Sequence, residues 1–413
     1  MFKKLAILAD DLTGAADSCA YYAQHGLNSL VPLALRHIPP ADVISIPINS
    51  RDVEPDDARR LINLAFDWLI AEGFNLGETI FYHKIDSLMR GNPVEELYTL
   101  AERVGANIIL LAPAFPSQGR VTVNGKQWMI RETSMQAQWS SPTRRIDLIE
   151  MFSYDLDNVA VQWASLQMVR KSSSFLRSQI CGSSSPLLII CDAESDTDLD
   201  ILADIAVGCG VQLVAGSAGF ARRLCKKLYL EPTSEPLEMP KISCHPVLTV
   251  VGSRNPRLAR QVDVAQSLGI PIIRPEQGFF DEENAQNDAI VSELSEQLIQ
   301  GKDVILTTHD LQEAALGRWF VSLKLGEVVR SLVQKKLVGG LVLTGGETAN
   351  AVCSLLNARA ISMIGEVRPG VALGRLYGGM MPGLPIITKA GGFGDDKVFL
   401  RAIRAIHRRA NYL

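Results

Sequence analysis

The chain has 413 residues, of which 47% are hydrophobic and 21% are charged, and its formal net charge is −4. This length fits two domains of ordinary globular composition. A weakly acidic chain lacks the positive field that holds a nucleic-acid backbone or an anionic membrane, so a small-molecule partner is favoured over both.

The N-terminus resembles a signal peptide, because two lysines precede an apolar run. Asp10 and Asp11 interrupt that run far short of the apolar region of a signal peptide. No other stretch approaches the roughly 20 apolar residues that a membrane span needs. We therefore expect a soluble, cytoplasmic protein that does not bind membranes.

The first half of the chain repeats a unit of a short apolar run, a polar or small-residue turn, and a helical pattern. This repeat is typical of parallel strands joined by crossover helices. Thr13 is a plausible N-cap for the first helix, and Asn92-Pro93 opens another in the favoured order of cap residue and proline. The predicted strands of this half are residues 5–9, 43–48, 79–82, 108–112, 187–190 and 212–215.

A linker is predicted at residues 231–244, which contain three prolines and no hydrophobic periodicity. We therefore divide the chain into an N-terminal domain, 1–230, and a C-terminal domain, 245–413. The fold prediction is an α/β protein of two domains, each built on a largely parallel sheet flanked by helices. The predicted strands of the second domain are residues 247–251, 303–307, 340–344 and 385–388.

The seven cysteines are scattered, and none forms the C-x-x-C pair that zinc and redox sites use. We expect most of them to be reduced, buried and to act as small apolar residues. They are Cys19, Cys181, Cys191, Cys209, Cys225, Cys244 and Cys353.

Three turns of the second half are rich in glycine, and each lies between a predicted strand and a helical pattern. They are Val251-Gly252-Ser253, Thr344-Gly345-Gly346-Glu347-Thr348 and Lys389-Ala390-Gly391-Gly392-Phe393-Gly394. Glycine lets the backbone approach a ligand, and a helix N-terminus offers unpaired N–H groups to phosphate oxygens. Three such loops at one sheet edge favour a polyphosphate ligand. Each loop taken singly is equally well explained by close packing of helix on strand.

The common nucleotide-binding fingerprints are absent from the sequence. Residues 119–126 resemble a P-loop, but five residues separate its glycines instead of four, and Gln127 replaces the magnesium-binding Ser or Thr. No G-x-G-x-x-G follows the first strand with an acidic residue about 20 positions later, which disfavours a Rossmann dehydrogenase.

Polar residues, rather than glycine loops, follow the strands of the first half. Adjacent carboxylates such as Asp10 and Asp11 repel, so they indicate a nearby cation, a helix N-terminus or a hydroxyl-rich ligand. Arginine can bind a carboxylate through two parallel hydrogen bonds. Carboxylates for hydroxyl groups and cations for a carboxylate together describe a site for a sugar acid. The candidate residues are Asp10, Asp11, Arg51, His83, Lys84, Ile85, Asp86 and Arg90.

A purely structural explanation exists for these residues as well. Two aspartates before a helix are a common cap, and Lys84 with Asp86 could form a surface ion pair of little energetic weight. His309-Asp310 and the basic C-terminal tail fit a solvated surface better than a site.

Taken together, the motifs resemble those of the four-carbon acid sugar kinases over nearly the whole chain. The resemblance implies an N-terminal domain that binds the sugar acid and a C-terminal domain that binds the nucleotide. The segments that carry it are Ala9-Asp10-Asp11-Leu12-Thr13-Gly14-Ala15, Lys84-Ile85-Asp86-Ser87, Arg90-Gly91-Asn92, Ala112-Pro113-Ala114-Phe115-Pro116, Gly119-Arg120, Gly252-Ser253, Gly345-Gly346-Glu347-Thr348-Ala349 and Lys389-Ala390-Gly391-Gly392-Phe393-Gly394.

The resemblance also implies the reaction, which is phosphorylation of threonate, erythronate or a 3-oxo-tetronate at the terminal 4-hydroxyl with ATP and Mg²⁺. Leu12 in the Asp-Asp-Leu-Thr-Gly motif favours D-threonate over a 3-oxo-tetronate. Leu88-Met89 departs from the Thr-Leu that the resemblance leads us to expect before Arg90-Gly91-Asn92. This departure affects the choice of substrate and not the reaction. By the same resemblance the candidate residues named above contact the sugar acid. ATP contacts are expected from Ser253, Gly345, Gly346, Glu347, Gly391, Gly392 and Gly394.

Phosphoryl transfer depends mainly on positioning and charge stabilisation, with a carboxylate that accepts the proton of the hydroxyl. Asp86 and Asp11 are the candidates for this catalytic role. Two other classes remain: an NAD-dependent sugar-acid dehydrogenase, which needs a nicotinamide fingerprint, and a non-catalytic sugar-acid sensor, for which no DNA-binding helix pair is present. A homo-oligomer is compatible with the sequence, which does not specify the metal ligands.

Overall fold

The computed structural model describes residues 2–129, 145–153, 159–183, 185–228, 230–232, 235, 237–240, 242–243, 245–252, 255–275, 279, 285–308 and 318–410. The chain forms two compact units, Met1–Ser18 with Pro40–Ser234, and Cys19–Pro39 with Glu235–Leu413. The change of unit after Ser234 lies inside the predicted linker. Residues Cys19–Pro39, assigned from the sequence to the N-terminal domain, group with the second unit instead.

Helices and strands alternate along most of the described ranges, as predicted for an α/β protein. None of the described helices combines the length and the hydropathy that a membrane span needs. The strands are β1 (Lys4–Ala9), β2 (Ser29–Pro32), β3 (Val43–Pro47), β4 (Thr79–Lys84), β5 (Ile108–Ala112), β6 (Arg120–Val123), β7 (Lys126–Met129), β8 (Arg145–Asp147), β9 (Ala160–Ala164), β10 (Leu187–Cys191), β11 (Leu213–Gly216), β12 (Val247–Val251), β13 (Ile272–Ile273), β14 (Val304–Thr307), β15 (Gly340–Thr344), β16 (Ala360–Arg368), β17 (Val371–Tyr377) and β18 (Pro385–Lys389). The helices are α1 (Leu12–Gln24), α2 (Pro55–Ala71), α3 (Pro93–Val104), α4 (Leu148–Ser153), α5 (Leu166–Lys171), α6 (Ser173–Gly182), α7 (Asp196–Gly208), α8 (Ala218–Lys227), α9 (Arg257–Ser267), α10 (Ala285–Ile299), α11 (Arg318–Gln334), α12 (Gly346–Leu355) and α13 (Val398–Ala410).

The main sheet of the first unit is parallel, with the strand order β3-β1-β4-β11-β5-β10-β9. Its central strands are buried along almost their whole length, which explains why they read as continuous apolar runs. The strand order reverses at β1, because the chain places β3 on one side of it and β4 on the other. Ala9 therefore lies beside Pro47 and Lys84, and the carboxyl ends of these strands meet at a switch point where open α/β sheets bind ligands.

The main sheet of the second unit has the order β13-β14-β12-β15-β18-β17-β16-β2, parallel up to β18 and antiparallel beyond it. Here the order reverses at β12, which lies between β14 and β15. Val251 of β12 is the register partner of Thr344, and Thr344 is the partner of Lys389. The three strands that precede the glycine-rich turns therefore end side by side.

The ten predicted strands are all present, within about two residues at their ends. The antiparallel hairpin of β16 and β17 and the small antiparallel sheet β6-β7-β8 were not predicted from the sequence. These strands mix buried and partly exposed positions, so they lack the continuous apolar runs that identified the parallel strands.

Two of the cysteines differ from the sequence prediction, because Cys181 and Cys209 form a disulfide with their Cα atoms 5.3 Å apart. Cys244 lies outside the described residues. The other four, Cys19, Cys191, Cys225 and Cys353, are free and buried as expected.

Ser217 stabilises the turn between β11 and α8 through hydrogen bonds. Its Oγ accepts hydrogen bonds from the backbone N–H groups of Gly219 (3.1 Å) and Phe220 (3.4 Å), and it donates to the carbonyl of Ala114 at 2.6 Å. The Ser217 carbonyl in turn accepts the hydroxyl of Tyr82 at 2.6 Å. One buried serine thus caps a helix and joins three segments at the carboxyl edge of the sheet.

Replacing this serine should weaken the fold measurably. We expect Ser217→Ala to lower the free energy of unfolding by about 1–2 kcal/mol, because the cap and a buried hydrogen bond are both lost. Urea denaturation of the variant and the parent measures the difference. Ser178→Ala, at an exposed position in α6, is the control and should change stability by less than about 0.5 kcal/mol. Equal effects would contradict this account.

Candidate active site

Six charged side chains gather at the carboxyl edge of the first unit's sheet, after β1, β3 and β4. We call them the charged cup. Three are carboxylates and three are cations, so their formal charges cancel, as expected for groups that are mostly withdrawn from water. The members are Asp10, Asp11, Arg51, Lys84, Asp86 and Arg90.

Arg51 lies at the centre of the charged cup. Its Nε donates to Asp10 Oδ2 at 2.8 Å, and its terminal nitrogens lie 2.9 Å from Asp11 Oδ2 and 3.7 Å from Asp86 Oδ1. Burial acts to lower the pKa of Arg51, but attraction to the three carboxylates outweighs it and raises the pKa. Of the three alternatives that the adjacent aspartates left open, a nearby cation is therefore present, in Arg51.

Asp11 caps α1, a role that the sequence analysis gave to Thr13. The backbone N–H of Gly14 donates to Asp11 Oδ1 at 2.7 Å, and the Thr13 hydroxyl donates to Oδ2 at 2.8 Å. Burial opposes ionisation of Asp11. Attraction to Arg51 and Lys84, together with these two hydrogen bonds, nevertheless lowers its pKa.

Asp86 is held just as firmly by the loop that follows β4. Arg90 binds it through two parallel hydrogen bonds, from Nε at 2.8 Å and from a terminal nitrogen at 2.7 Å, and the Leu88 N–H donates at 3.1 Å. Burial opposes ionisation here too, but the contacts with Arg90 lower the pKa of Asp86 well below its usual value. Asp86 therefore stays ionised throughout the neutral range.

Asp10 differs from the other two carboxylates. Its Oδ1 is buried and accepts no hydrogen bond within the described residues, and Lys84 Nζ lies 3.5 Å away. Burial raises the pKa of Asp10, and Lys84 and Arg51 only partly offset that effect. Neighbouring carboxylates whose pKa values are pushed apart are typical of sites that handle protons.

The loop after β4 and the loop after β3 are tied together. The Asn92 side chain donates to the carbonyls of Ser50 (3.0 Å) and Val53 (2.9 Å), so it positions Arg51 instead of capping α3. Gly91 has φ +84°, and a Cβ there would lie 3.2 Å from the Cα of Arg51. Only glycine lets the two backbones approach this closely.

Two of the predicted substrate residues have side chains outside the charged cup. His83 is fully buried, and its Nε2 lies 2.8 Å from Glu96 Oε2 of α3. Ile85 is also fully buried, and its N–H donates to the Gly216 carbonyl at 3.0 Å. The His83 side chain and the Ile85 backbone therefore anchor the strand end whose neighbours, Lys84 and Asp86, reach the charged cup.

In the second unit the glycine-rich turns lie at one sheet edge, as the polyphosphate hypothesis requires. A Cβ at Gly252 would lie 2.3 Å from the Thr348 hydroxyl, so the turn after β12 packs directly on α12. Gly345 has φ +96° and precedes α12, whose first turn contains Gly346 and Glu347. Ser253 lies outside the described residues.

The third turn, Gly391 to Gly394, is held by α9. The Gln261 side chain donates to the carbonyls of Phe393 (3.3 Å) and Gly394 (3.2 Å). A Cβ at Gly392 would lie 2.6 Å from the Asn255 side chain. This turn therefore lacks space for a larger residue and keeps its backbone close to the turn that leads into α9.

Two buried glutamines that the sequence analysis did not single out as site residues support these loops. Gln261 holds the third glycine turn, and Gln127 does the same for the charged cup, because its Nε2 donates to the carbonyl of Ser87 at 2.9 Å. A lone glutamine carries no motif, so the sequence offered no signal for either role.

Comparison with known proteins covers both halves of the chain. Residues 5–224 match the model of a sugar-binding N-terminal domain, and residues 248–399 match that of a nucleotide-binding C-terminal domain. The chain belongs to the four-carbon acid sugar kinase family. Among its relatives in that kinase family, a D-threonate kinase of Cupriavidus necator is 32% identical over 97% of each chain.

Sugar acid kinases with other named substrates are also similar to it. A D-erythronate kinase of Heliobacterium modesticaldum is 26% identical over 95% of this chain and 94% of its own. Identity is 27% to 32% with three D-threonate kinases and 23% to 26% with 3-oxo-tetronate kinases. A solved structure from Salmonella typhimurium LT2 has the same fold, with a TM-score of 0.77 and 18% identity over 97% of this chain and 99% of its own.

Gly14 offers a test of the geometry of the charged cup. A Cβ at this position would lie 2.8 Å from Lys84 Nζ and 2.9 Å from Asp11 Oδ1. We expect Gly14→Ala to displace these charged groups while alanine supports α1, so kinase activity falls about tenfold or more without loss of stability. Steady-state kinetics and thermal unfolding measure the two effects. Full activity would mean that the position of Lys84 is unimportant.

Proposed function

We propose that this protein is an ATP-dependent kinase that phosphorylates the terminal 4-hydroxyl of a four-carbon sugar acid, with D-threonate as the preferred substrate. The observation that carries the proposal is the charged cup. Its three carboxylates and three cations lie together at the switch point of the first unit's sheet. That sheet lies within the residues that match the model of a sugar-binding domain.

The charged cup suits an acid that also carries several hydroxyl groups. A substrate carboxylate can share Arg51 and Lys84 with the aspartates, and the substrate hydroxyls can donate to Asp11 and Asp86, which stay ionised. Arg90 is the most accessible of the three cations, with 48% of its side chain exposed, and it can pair with the incoming carboxylate. D-threonate is preferred in this proposal because relatives with that named substrate have the higher sequence identities.

The nucleotide belongs at the glycine turns of the second unit. The N-terminus of α12 offers backbone N–H groups to phosphate oxygens, and the glycines of the flanking turns add no side chains of their own beside it. Mg²⁺ prefers oxygen ligands and usually binds through phosphates and one or two carboxylates. Glu347, in the first turn of α12, fits that requirement, and the ion would neutralise charge on the transferred phosphoryl group.

The substrate is identified by a coupled assay of ADP release. The panel contains D-threonate, L-threonate, D- and L-erythronate and the 3-oxo-tetronates, each with MgATP. We expect the highest kcat/KM for D-threonate. Release of ADP with a different tetronate would correct the substrate, whereas ligand binding without ADP release would indicate a sensor. Reduction of NAD by the sugar acid would indicate a dehydrogenase.

Arg51 should matter for the sugar acid and not for the nucleotide. We expect Arg51→Ala to lower kcat/KM for the sugar acid by about 100-fold or more, because Asp10 and Asp11 lose their shared cation and the substrate loses a carboxylate partner. The dissociation constant for ATP, measured by calorimetry, should change less than about threefold. Arg60→Ala, exposed on α2, is the control with the same loss of charge. An equal weakening of sugar-acid use and of ATP binding would contradict this assignment.

The three aspartates should differ in their pH dependence. Asp11 and Asp86 have lowered pKa values, so Asp11→Asn and Asp86→Asn should each reduce kcat by about 100-fold or more, to the same extent from about pH 5 to pH 8.

Asp10 has a raised pKa. The parent should therefore lose activity as the pH falls through this pKa, because protonation of Asp10 removes a partner of Arg51. Asp10→Asn should lack this acid limb. A pH profile of kcat/KM for the parent and the three variants tests the assignment. An acid limb that persists in Asp10→Asn and disappears in Asp86→Asn would reverse the roles of the two residues.

A further inference from the structure

Lys389, the last residue of β18, is completely buried. None of its surface is exposed, and its Nζ donates to the carbonyl of Gly391 and lies 5.6 Å from the centre of the Phe399 ring. Lysine is almost never fully buried unless it is paired. The carbonyl and the aromatic ring satisfy part of the ammonium group, but neither one carries a negative charge.

No carboxylate compensates this charge within the part of the chain that the structure describes. Burial, and to a lesser extent the charge of Arg257 at the start of α9, lower the pKa of Lys389 to about 7. A buried cation destabilises a protein when no anion pairs with it. The surroundings of Lys389 therefore lack an anion.

The strand end places Lys389 between two of the glycine turns. Thr344 is its register partner on β15, and the N–H of Gly345 donates to the Lys389 carbonyl at 2.9 Å. Lys389 is thereby tied to the N-terminus of α12, a helix of ten residues. Its ammonium group is tied to the third turn through Gly391. A buried ammonium and a helix N-terminus, both positive, thus flank the same turns.

We propose that Lys389 is a catalytic residue that binds the β- or γ-phosphate oxygens of the nucleotide, with its ammonium turning from the Gly391 carbonyl to the phosphate. This inference rests on the proposed role of the glycine turns as the nucleotide site. Phosphate supplies the anion that the buried charge lacks. In a site withdrawn from water the ammonium stabilises negative charge more strongly than an exposed lysine can.

The test is Lys389→Met, which keeps the length of the side chain and removes its charge. We expect the dissociation constant for ATP, measured by calorimetry, to rise about 30-fold or more, while that for AMP changes less than about threefold. Inorganic tripolyphosphate should lose affinity in parallel with ATP. The melting temperature without ligand should stay the same or rise, because an uncompensated buried charge is removed.

Two further variants make the result decisive. Lys335→Met removes one exposed lysine after α11 and should leave all the dissociation constants unchanged. Lys389→Arg keeps the charge and should retain part of the preference for ATP over AMP. Equal loss of ATP and AMP affinity with a lower melting temperature in Lys389→Met would assign Lys389 a structural role and overturn the inference. Unchanged ATP affinity in that variant would overturn it as well.

The inference and the proposed function can fail separately. If the parent releases ADP with a tetronate but Lys389→Met binds ATP normally, only the inference is wrong. If the parent binds ATP in a manner that depends on Lys389 but no sugar acid triggers ADP release, the inference stands and the proposed substrate class is wrong. If the parent binds neither ATP nor tripolyphosphate, both are overturned.

Discussion

The pairing of Arg51 with the adjacent aspartates is the interaction on which the first unit's candidate site depends. Two neighbouring carboxylates at the end of a buried strand repel each other and cannot both stay ionised without a cation. Arg51 supplies that cation from the loop after β3, which lies beside β1 in the sheet. The Asn92 side chain and the close approach of Gly91 hold this loop in place. Once Arg51 is in place, Lys84, Asp86 and Arg90 complete a neutral cluster around it.

The two units use the same topological position for different chemistry. In each, the strand order reverses at one strand of the parallel part of the sheet, β1 or β12, and the turns beyond its carboxyl end carry the candidate ligand contacts. The first unit fills that position with paired charged side chains. The second unit fills it with backbone, since glycine removes side chains and a helix N-terminus contributes N–H groups. Paired charged side chains suit a small polyhydroxy acid, and backbone N–H groups suit a flexible polyphosphate.

The partners of each buried charged group, and not burial alone, decide how these groups behave. Asp11 and Asp86 lie in the same cluster as Asp10. Attraction to Arg51 and Lys84, with the Gly14 hydrogen bond, lowers the pKa of Asp11, and the contacts with Arg90 lower that of Asp86, whereas burial raises the pKa of Asp10. Lys389 is a second case, because burial with no carboxylate partner among the described residues lowers its pKa. Residue types alone do not reveal these differences, since each depends on the number of donors and charges that the fold places nearby.

Much of this protein follows from its sequence. The apolar runs determined the parallel strands, because strands buried on both faces must be apolar throughout, and the residues after each run located the charged cup and the glycine turns. Other features depend on contacts between residues distant along the chain. These include the assignment of Cys19–Pro39 to the second unit, the disulfide of Cys181 with Cys209, and the burial of His83 against Glu96. Only the tertiary structure decided them, because strand order and side-chain packing bring together residues that no local pattern connects.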